Sequence, residues 1–516
     1  MRRGLRRLHH VAAYVCALAT LALVGCGPSH TDPATVTVLI ESSPGSLDPR
    51  VGTDAQSERI DELIFDSLVK KDAHFDLQPD LAVRWEMPDP TTYIFHLRSG
   101  VFFQNGQPLT ARDVQWTLNS LINHAVLSPK YQAYRNVQRI DTPDPATVVL
   151  HLSQPDASLL WSLSDGAIGI VPYGSGTDFQ KHPIGTGPFR FVSQQMDKDV
   201  ILEANPHGWQ TTPKIKRLRF AVVPDGTTRA LELRKGSGDV AQNALTPDMV
   251  WSLRRDPALR VAEVPGTVVQ YLTFNIHDPH LRDVRVRQAI AYAIDRKIII
   301  DSLLRGEARP ADSLLPPDHW AHAAPQITYA FDPARANALL DAAGLPRNRD
   351  GVRFHLEMKT STDEGARLMA LVLQQQLRAV GIALDVRSYE FATFYSDITH
   401  GSFGVYSLRW IGGNEDPDIF RYAFASSSIP PRGANRGGYR NTTLDALLMD
   451  AATATSREQR RKDYAQVQQI VARELPAIPL WYLDSVTVYN HRLSGIQASP
   501  SGNYYCLETA ALRSAR

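Results

Sequence analysis

The run Val268-Val-Gln-Tyr-Leu-Thr-Phe-Asn-Ile276 decides how this chain is divided. Branched and aromatic side chains dominate it, and such side chains favour a β-strand. We predict a long strand here, which is able to pass from one domain into another. A second run of the same kind follows at 486–490. Between the two lies a block of about 200 residues in which helical and strand patterns are mixed.

This bracketing predicts a two-lobed α/β protein. If the chain crosses between lobes at both runs, its N-terminal and C-terminal parts form one lobe and its middle forms the other. We assign 36–271 and 487–516 to lobe I, and 272–486 to lobe II. A cleft between two domains is a common ligand site, and hinge closure around the ligand is the usual motion.

Length and composition agree with such a protein. A chain of 516 residues is too long for one compact core. With 43% hydrophobic and 21% charged residues it has the composition of an ordinary globular protein. The 55 basic and 54 acidic side chains are nearly balanced, which gives no reason to expect a nucleic acid as partner.

The N-terminus predicts export and a lipid anchor. Four arginines precede an apolar run at 11–25, which is too short to span a bilayer and is typical of a signal peptide. Small residues lead directly into Cys26, as in a bacterial lipobox. The alternative is an ordinary signal with a coincidental cysteine. We expect a signal peptide at 1–25, a lipidated Cys26, a tether at 26–35, and a location in the periplasm or on the outer face of the cell envelope.

Beyond this anchor the sequence predicts no other contact with the membrane. The later apolar runs are each broken by charge or proline. Cys506 is the one cysteine that remains after Cys16 and Cys26, so we expect no internal disulfide.

Several helices carry clear start signals. Thr110 and Asp113 are spaced as in a capping box, Asp283 precedes an apolar-faced helix, and Pro333 follows Asp332 at a helix start. A β-α-β unit is predicted from strand 353–358, helix 364–380 and strand 382–389. A strand at 403–408 and a helix over 456–474 follow.

Several segments, which follow one another along the chain in the same order as in the family, together resemble family 5 of the solute-binding proteins of bacterial ABC importers. The first is the opening turn Ser46-Leu47-Asp48-Pro49. The others run in order along the chain and cover nearly all of it: 81–114, 183–190, 286–296, 410–420 and 475–481. The resemblance implies a periplasmic-binding fold with an extra subdomain in lobe I. It also implies that the protein delivers a captured solute to a membrane permease and its ATPase subunits. We expect the solute to be a peptide or another small polar molecule, and we expect the protein to be a monomer.

The best site candidate is the loop around Trp410, because an indole offers a flat apolar wall with one hydrogen-bond donor. Glycines beside it let a ligand approach backbone N–H groups. The resemblance implies an Asp three residues after this Trp in dipeptide binders, and this chain has Gly413 there. Two acidic residues of the same loop are the candidate replacements. The predicted loop contacts are Trp410, Gly412, Gly413, Asn414, Glu415 and Asp416.

Other candidates lie on neighbouring strands and turns. A further hypothesis is that hydroxyl groups after strand 353–358 contact a polar ligand; alternatively they only cap the next helix. The family's carboxylate-binding arginine is missing from this loop, where Lys359 is the available cation. These further candidate contacts are Thr360, Ser361, Thr362, Tyr271, Asn275 and Ser46.

The sequence gives no sign of catalysis, metal or cofactor. The loop 185–190 lacks the glycine and lysine pattern of a nucleotide loop, and we interpret it as structural. No His-Glu-x-x-His or Gly-x-Ser-x-Gly motif is present. Two alternatives to import remain: an exported hydrolase, and a solute sensor without transport.

Overall fold

The computed structural model describes residues 34–72, 74–164, 166, 168–412 and 415–513. The predicted signal peptide, the predicted lipidation site Cys26 and residues 26–33 of the predicted tether lie outside these ranges. So do Gly413 and Asn414 of the candidate loop.

The first part of the chain contains twelve strands in its described residues. They are β1 (Thr35–Ile40), β2 (Val69–Lys71), β3 (Leu77–Pro79), β4 (Ala82–Asp89), β5 (Thr92–Leu97), β6 (Val137–Asp144), β7 (Thr147–Leu152), β8 (Phe189–Gln195), β9 (Asp199–Ala204), β10 (Arg217–Val222), β11 (Val240–Gln242) and β12 (Leu259–Val264). Its helices are α1 (Ala55–Ile64), α2 (Ala111–Ile122), α3 (Tyr131–Tyr134), α4 (Leu159–Ser162), α5 (Gly226–Lys235) and α6 (Pro247–Leu253).

The middle part is richer in helix. Its strands are β13 (Val269–Phe274), β14 (Ala308–Pro310), β15 (Phe354–Ser361), β16 (Ile382–Tyr389), β17 (Val405–Trp410) and β18 (Ala477–Leu483). Its helices are α7 (Val284–Ala293), α8 (Arg296–Ser302), α9 (Pro333–Ala342), α10 (Glu364–Ala379), α11 (Phe391–Thr399), α12 (Ile419–Phe424), α13 (Thr442–Thr453) and α14 (Arg457–Glu474). The last part holds β19 (Ser485–Asn490), β20 (Leu493–Ser494), α15 (Cys506–Thr509) and β21 (Ala511–Leu512).

The two ends of the chain share one sheet. Its strand order is β12-β19-β11-β1-β10-β9-β8, so the late strand β19 lies between two strands of the first part. β1 runs parallel to β10 and β11, and β19 runs antiparallel to β11 and β12. All six residues of β1 are buried, as expected for a strand covered on both faces. A separate antiparallel sheet, β4-β5-β7-β6, forms the extra subdomain.

The middle of the chain forms a second large sheet, β14-β18-β13-β17-β15-β16. The predicted β-α-β unit is confirmed: β15 and β16 are parallel, and α10 connects them. The buried apolar clusters keep to the same division. Among the described residues, no such cluster has members on both sides of the two crossings. Each lobe therefore has its own core.

The chain crosses between the sheets at two adjacent points. β12 ends at Val264 and β13 begins at Val269, while only Asp484 separates β18 from β19. A Cβ on Gly266 would lie 2.3 Å from the Leu483 carbonyl oxygen, so the two crossing segments touch and glycine is needed there.

The strand predicted at 268–276 therefore does not pass between the lobes, and the expectation that it does was wrong. It lies wholly in the second sheet, where β13 pairs with β17 and β18. The crossing comes earlier, at Pro265-Gly266, since proline cannot donate a ladder hydrogen bond. The expected boundaries after 271 and after 486 fall inside β13 and β19.

The predicted helix starts are confirmed. Thr110 and Asp113 form the capping box, and the carboxylates of Asp283 and Asp332 cap their helices. Two strands extend further than expected: β15 continues to Ser361 and β17 continues to Trp410. No helix of the described residues is both long enough and apolar enough to cross a bilayer.

Candidate functional site

A cavity of about 330 Å³ lies between the two lobes, and we call it the inter-lobe cavity. Glu62, Lys71 and Phe75 line it from the first part of the chain, and Glu415 lines it from the second lobe. The C-terminal segment supplies the remaining wall through residues 497–501, 503, 505, 506 and 509. Three distant parts of the sequence therefore meet at one cavity.

A second cavity of about 190 Å³ adjoins it within the first lobe, and we call it the side pocket. Glu62, Lys71 and Tyr505 line both cavities. The rest of the side pocket is rich in charge and also has an apolar wall. Its charged lining residues are Glu58, Asp61, Glu62, Asp66, Lys70, Lys71, Asp80, Lys130 and Glu508.

An ion pair closes the inter-lobe cavity from both sides. Lys71 Nζ lies 2.5 Å from Glu415 Oε2, and both side chains are largely buried. The Glu415 carbonyl accepts a hydrogen bond from His319 Nε2 at 2.9 Å. Burial lowers the pKa of His319 to about 4, so this imidazole is neutral and donates to the carbonyl. Phe75 of the first part stacks on the same imidazole, with the ring centroids 5.7 Å apart.

Arg460 joins the lobes at a second point. Its guanidinium binds Asp416 Oδ1 at 2.9 Å within the second lobe. It also donates to the Ala157 carbonyl and the Ser158 hydroxyl of the first part, at 3.3 and 3.4 Å. The indole of Trp161 lies under it, with 4.9 Å from Arg460 Cζ to the ring centroid. Close by, the Ala157 N–H donates to the Ala452 carbonyl at 2.9 Å. That carbonyl lies in the last turn of α13, where helical partners run out.

The acidic residues of α1 define the electrostatics of the side pocket. Glu58, Asp61 and Glu62 are three and four residues apart, so they project from one side of the helix. Burial raises the pKa of Glu58 to about 7 and holds that of Asp61 above its usual range. Lys130 opposes both shifts, but burial also lowers the pKa of its own ammonium group.

Trp410 and Tyr271 lie together on one face of the second sheet. Their rings stack with centroids 5.4 Å apart and planes 17° apart. With Tyr406 and Arg436 they line a separate small cavity of about 20 Å³. Neither side chain lines the inter-lobe cavity or the side pocket.

In the loop after Trp410, Glu415 and Asp416 have different roles. Glu415 lines the inter-lobe cavity. Asp416 instead accepts from the Asp418 N–H and binds Arg460, which is the turn-shaping arrangement common for an Asp before Pro. Gly412 is exposed and has a φ of 72°, a conformation that glycine adopts most readily.

The hydroxyl candidates lie elsewhere. Thr360 is buried in β15, and Ser361 ends that strand. The carboxylate of Asp363 caps α10, and Thr362 directly precedes this cap. The Lys359 ammonium binds Asp397 at 2.7 Å and Ser402 at 3.2 Å, so it already has an anionic partner within its own lobe.

The remaining two candidates make local bonds. Asn275 donates to the carbonyls of Gly401 and Phe403. The Ser46 hydroxyl donates to Gln180 and accepts from the Asp48 N–H. Neither lines the inter-lobe cavity or the side pocket.

Sequence reasoning missed most of the residues that line the two cavities. Lys71 lies at the end of a three-residue strand and Tyr505 in the C-terminal segment, and neither carries a local signal. The acids of α1 did carry one. Glu58, Asp61 and Glu62 stand at helical spacing beside the apolar residues Ile60, Leu63 and Ile64, a pattern that is visible in the sequence.

The fold and the site are those of a two-lobed solute-binding protein. Each lobe has its own hydrophobic core, the chain crosses between the lobes at two adjacent points, and both lobes line one cavity. Residues 76–430 match the family described as bacterial extracellular solute-binding proteins, family 5 Middle, and the chain belongs to this family.

Several known proteins are similar to this chain over most of its length. Heme-binding protein A of Haemophilus influenzae is 28% identical over 85% of this chain and 85% of its own length. The dipeptide-binding protein of Escherichia coli is 26% identical, covering 90% of this chain and 92% of its own. Among solved structures, NikZ from Campylobacter jejuni in complex with Ni(L-His) has a TM-score of 0.80 at 26% identity, covering 93% of this chain and 98% of that one.

Proposed function

We propose that this protein is a lipid-anchored receptor outside the cytoplasm that captures a peptide or a similar small polar solute and delivers it to an ABC import permease. The observation that carries the proposal is the inter-lobe cavity, which Lys71 and Glu415 close from opposite lobes. A ligand held there contacts both lobes at once, so its binding stabilises the closed form.

The names of relatives support a peptide as the solute. Several matching proteins are called dipeptide-binding or di/tripeptide-binding proteins, including one from Pseudomonas aeruginosa that is 28% identical over 95% of this chain. A peptide carries charge at both ends. The two cavities offer both carboxylates and ammonium groups within a short distance, which suits such a ligand.

The proposal extends to the parts of the chain that lie outside the described residues. Cys26 carries the lipid and 26–33 belong to the tether, which ends where β1 begins at Thr35, so that the receptor stays near its permease and ATPase subunits as a monomer. Within the second lobe, the segment from Gly412 through Gly413 and Asn414 to Glu415 is proposed to face the solute. In this proposal the protein binds without catalysis.

The test is to search for a bound solute and then to measure its binding. Native mass spectrometry of the purified protein should reveal one co-purified small molecule per chain. Di- and tripeptides should raise the melting temperature, because a ligand that binds only the folded state stabilises it.

Glu415→Gln should weaken binding about tenfold, since it removes a charge that lines the cavity. Glu458→Gln is the matched control, because that side chain is exposed in the same lobe. A peptide panel that leaves the melting temperature unchanged would contradict the proposal. Turnover of a peptide would favour the hydrolase instead.

A further inference from the structure

The carboxyl group of Asp61 is buried and has no hydrogen-bond partner among the described residues. The side chain lines the side pocket, and the residue is only 6% exposed. Neither carboxylate oxygen accepts a hydrogen bond from any residue that the structure describes. Leaving a buried carboxylate unpaired is costly, so such a group in a cavity points to a ligand that supplies the missing donors.

Two other acids of the pocket, Asp66 and Asp80, differ in this respect. Asp66 accepts from Thr186, Trp209 and Gln210. Asp80 accepts from the Ser67 N–H. Among the described acids of the pocket, Asp61 is the one for which both carboxylate oxygens are buried without a hydrogen bond, and it lies beside Glu58 and Glu62 on the same helix.

The acidic side chains of the pocket outnumber its basic ones, although Lys130 interacts electrostatically with Glu58 and Asp61. The side pocket is lined by six acidic side chains and three lysines. Lys71 is engaged with Glu415 and Lys130 with the Pro49 carbonyl. The pocket thus favours a positive charge on its ligand.

The shape of the pocket narrows the choice of cation. A volume of about 190 Å³ holds roughly six water molecules, enough for a four-carbon chain with a charged end. The apolar wall of the pocket is formed by Pro49, Phe65 and Ile168, and the four-carbon chain of the ligand would pack against it. No group of three His, Cys, Asp or Glu side chains among the described residues is arranged to hold a metal ion. These features fit a side chain with an apolar stem and an ammonium head.

We propose that the side pocket binds an alkylammonium group of the solute, such as a lysine side chain, with Asp61 as its acceptor and Glu58 and Glu62 beside it. This inference rests on the proposed function and specifies the class of solute. The raised pKa values of Glu58 and Asp61 agree with it, because burial disfavours the ionised form of both carboxyls and a nearby cation would stabilise that form and lower both pKa values.

The test compares peptides that differ only in the charged head. The purified protein is titrated with Gly-Lys-Gly, with Gly-norleucine-Gly, which lacks the ammonium group, with Gly-Arg-Gly and with n-butylamine. The lysine peptide should bind at least tenfold more tightly than the norleucine peptide. Asp61→Asn should bring the two affinities within about threefold, while the norleucine peptide is bound as before.

Controls separate the charge of Asp61 from general effects. Asp178→Asn alters an exposed acid of the first part and should change neither affinity. Glu62→Gln replaces Asp61→Asn if the latter fails to fold, and should reduce the lysine preference at least threefold. Near pH 6.5, calorimetry in buffers of different ionisation enthalpy should detect protons released on binding of the lysine peptide, and Glu58→Gln should release fewer.

Each outcome decides the question. Equal binding of the lysine and norleucine peptides, or a lysine preference that survives in both variants, overturns the cation pocket but leaves a peptide receptor. Tighter binding of the arginine peptide overturns the alkylammonium assignment. Binding of butylamine alone supports the pocket and contradicts the peptide receptor. If no probe binds, both proposals fail.

Discussion

Replacing Arg460 with methionine should loosen the contact between the lobes without unfolding either one. Methionine retains part of the buried volume and removes the charge. The guanidinium bonds to the Ala157 carbonyl and the Ser158 hydroxyl are long, 3.3 and 3.4 Å, so each contributes about 0.5 kcal/mol. The cation–π contact with Trp161 adds about 1 kcal/mol.

These terms sum to about 2 kcal/mol across the lobes, which corresponds to about a 30-fold change in the opening equilibrium. The amide of Ala157 reports on this opening, because its acceptor, the Ala452 carbonyl, belongs to the other lobe. Hydrogen exchange at that amide should therefore become about 30-fold faster in Arg460→Met, since local opening controls its protection.

Two controls accompany the measurement. Arg461→Met changes the next residue, which is exposed, and should leave the exchange rate unchanged. Amides in β7 and β13 should stay protected in both variants, which shows that the lobes themselves remain folded. The reasoning is refuted if the Ala157 amide exchanges at the same rate in Arg460→Met as in the unmodified protein. It is also refuted if this amide shows no protection from exchange in either protein.

Four further predictions concern stability and are checked by chemical or thermal unfolding. Arg50 and Asp48 form a fully buried bidentate pair, so Arg50→Met should lower the free energy of unfolding by about 3–5 kcal/mol. Arg84→Met removes the exposed pair with Glu86 and should cost under about 1 kcal/mol. Gly185→Ala should destabilise strongly, because its Cβ would lie 1.9 Å from the Ile64 carbonyl oxygen, whereas Gly176→Ala meets nothing within 4 Å. Because the pKa of Glu58 is raised to about 7 in the folded state, the fold binds a proton that the unfolded chain has lost, and stability should fall as pH rises from about 5 to 7. Glu58→Gln should remove about 1–3 kcal/mol of that fall; Asp54, Lys71, Lys130 and Glu415 act on the same carboxyl, and an unchanged slope would contradict its assignment.

Local signals predicted the elements of the fold well. Capping residues such as Thr110 and Asp283 act within one turn of their helices, so their effect is readable from a few neighbouring letters. The loop at 185–190 was also interpreted correctly as structural. Gly185 and Gly187 pack directly against the backbone at the end of α1, where a side chain would collide with Ile64.

The crossings between lobes were harder to predict. A strand run shows that a segment is extended, but its sheet is decided by partners far away in the sequence. β18 and β19 read as one long β-rich stretch, yet they join different sheets with only Asp484 between them. The Pro265-Gly266 pair was the local sign that the first crossing precedes β13.

The residues that line the cavities could not be predicted from short sequence patterns, for a similar reason. Tyr505 and Lys71 become neighbours only after the C-terminal segment returns to the first lobe. Trp410 attracted attention because of its type, but its ring packs on Tyr271 in a separate small cavity. Residue type indicates what a side chain can bind, whereas topology determines which side chains share a cavity.

Closure of the lobes and the charge of the side pocket are linked through Lys71. Its ammonium lines both cavities and lowers the pKa of Glu58, while the Glu415 carboxylate raises it. If the lobes close on the solute as proposed, Glu415 reaches Lys71 in the closed form, where the two are paired, and the other lobe then takes up part of the positive charge that compensates the pocket acids. A cation in the side pocket would then be held more tightly in the closed form. By thermodynamic reciprocity, the same cation would favour closure by an equal free energy.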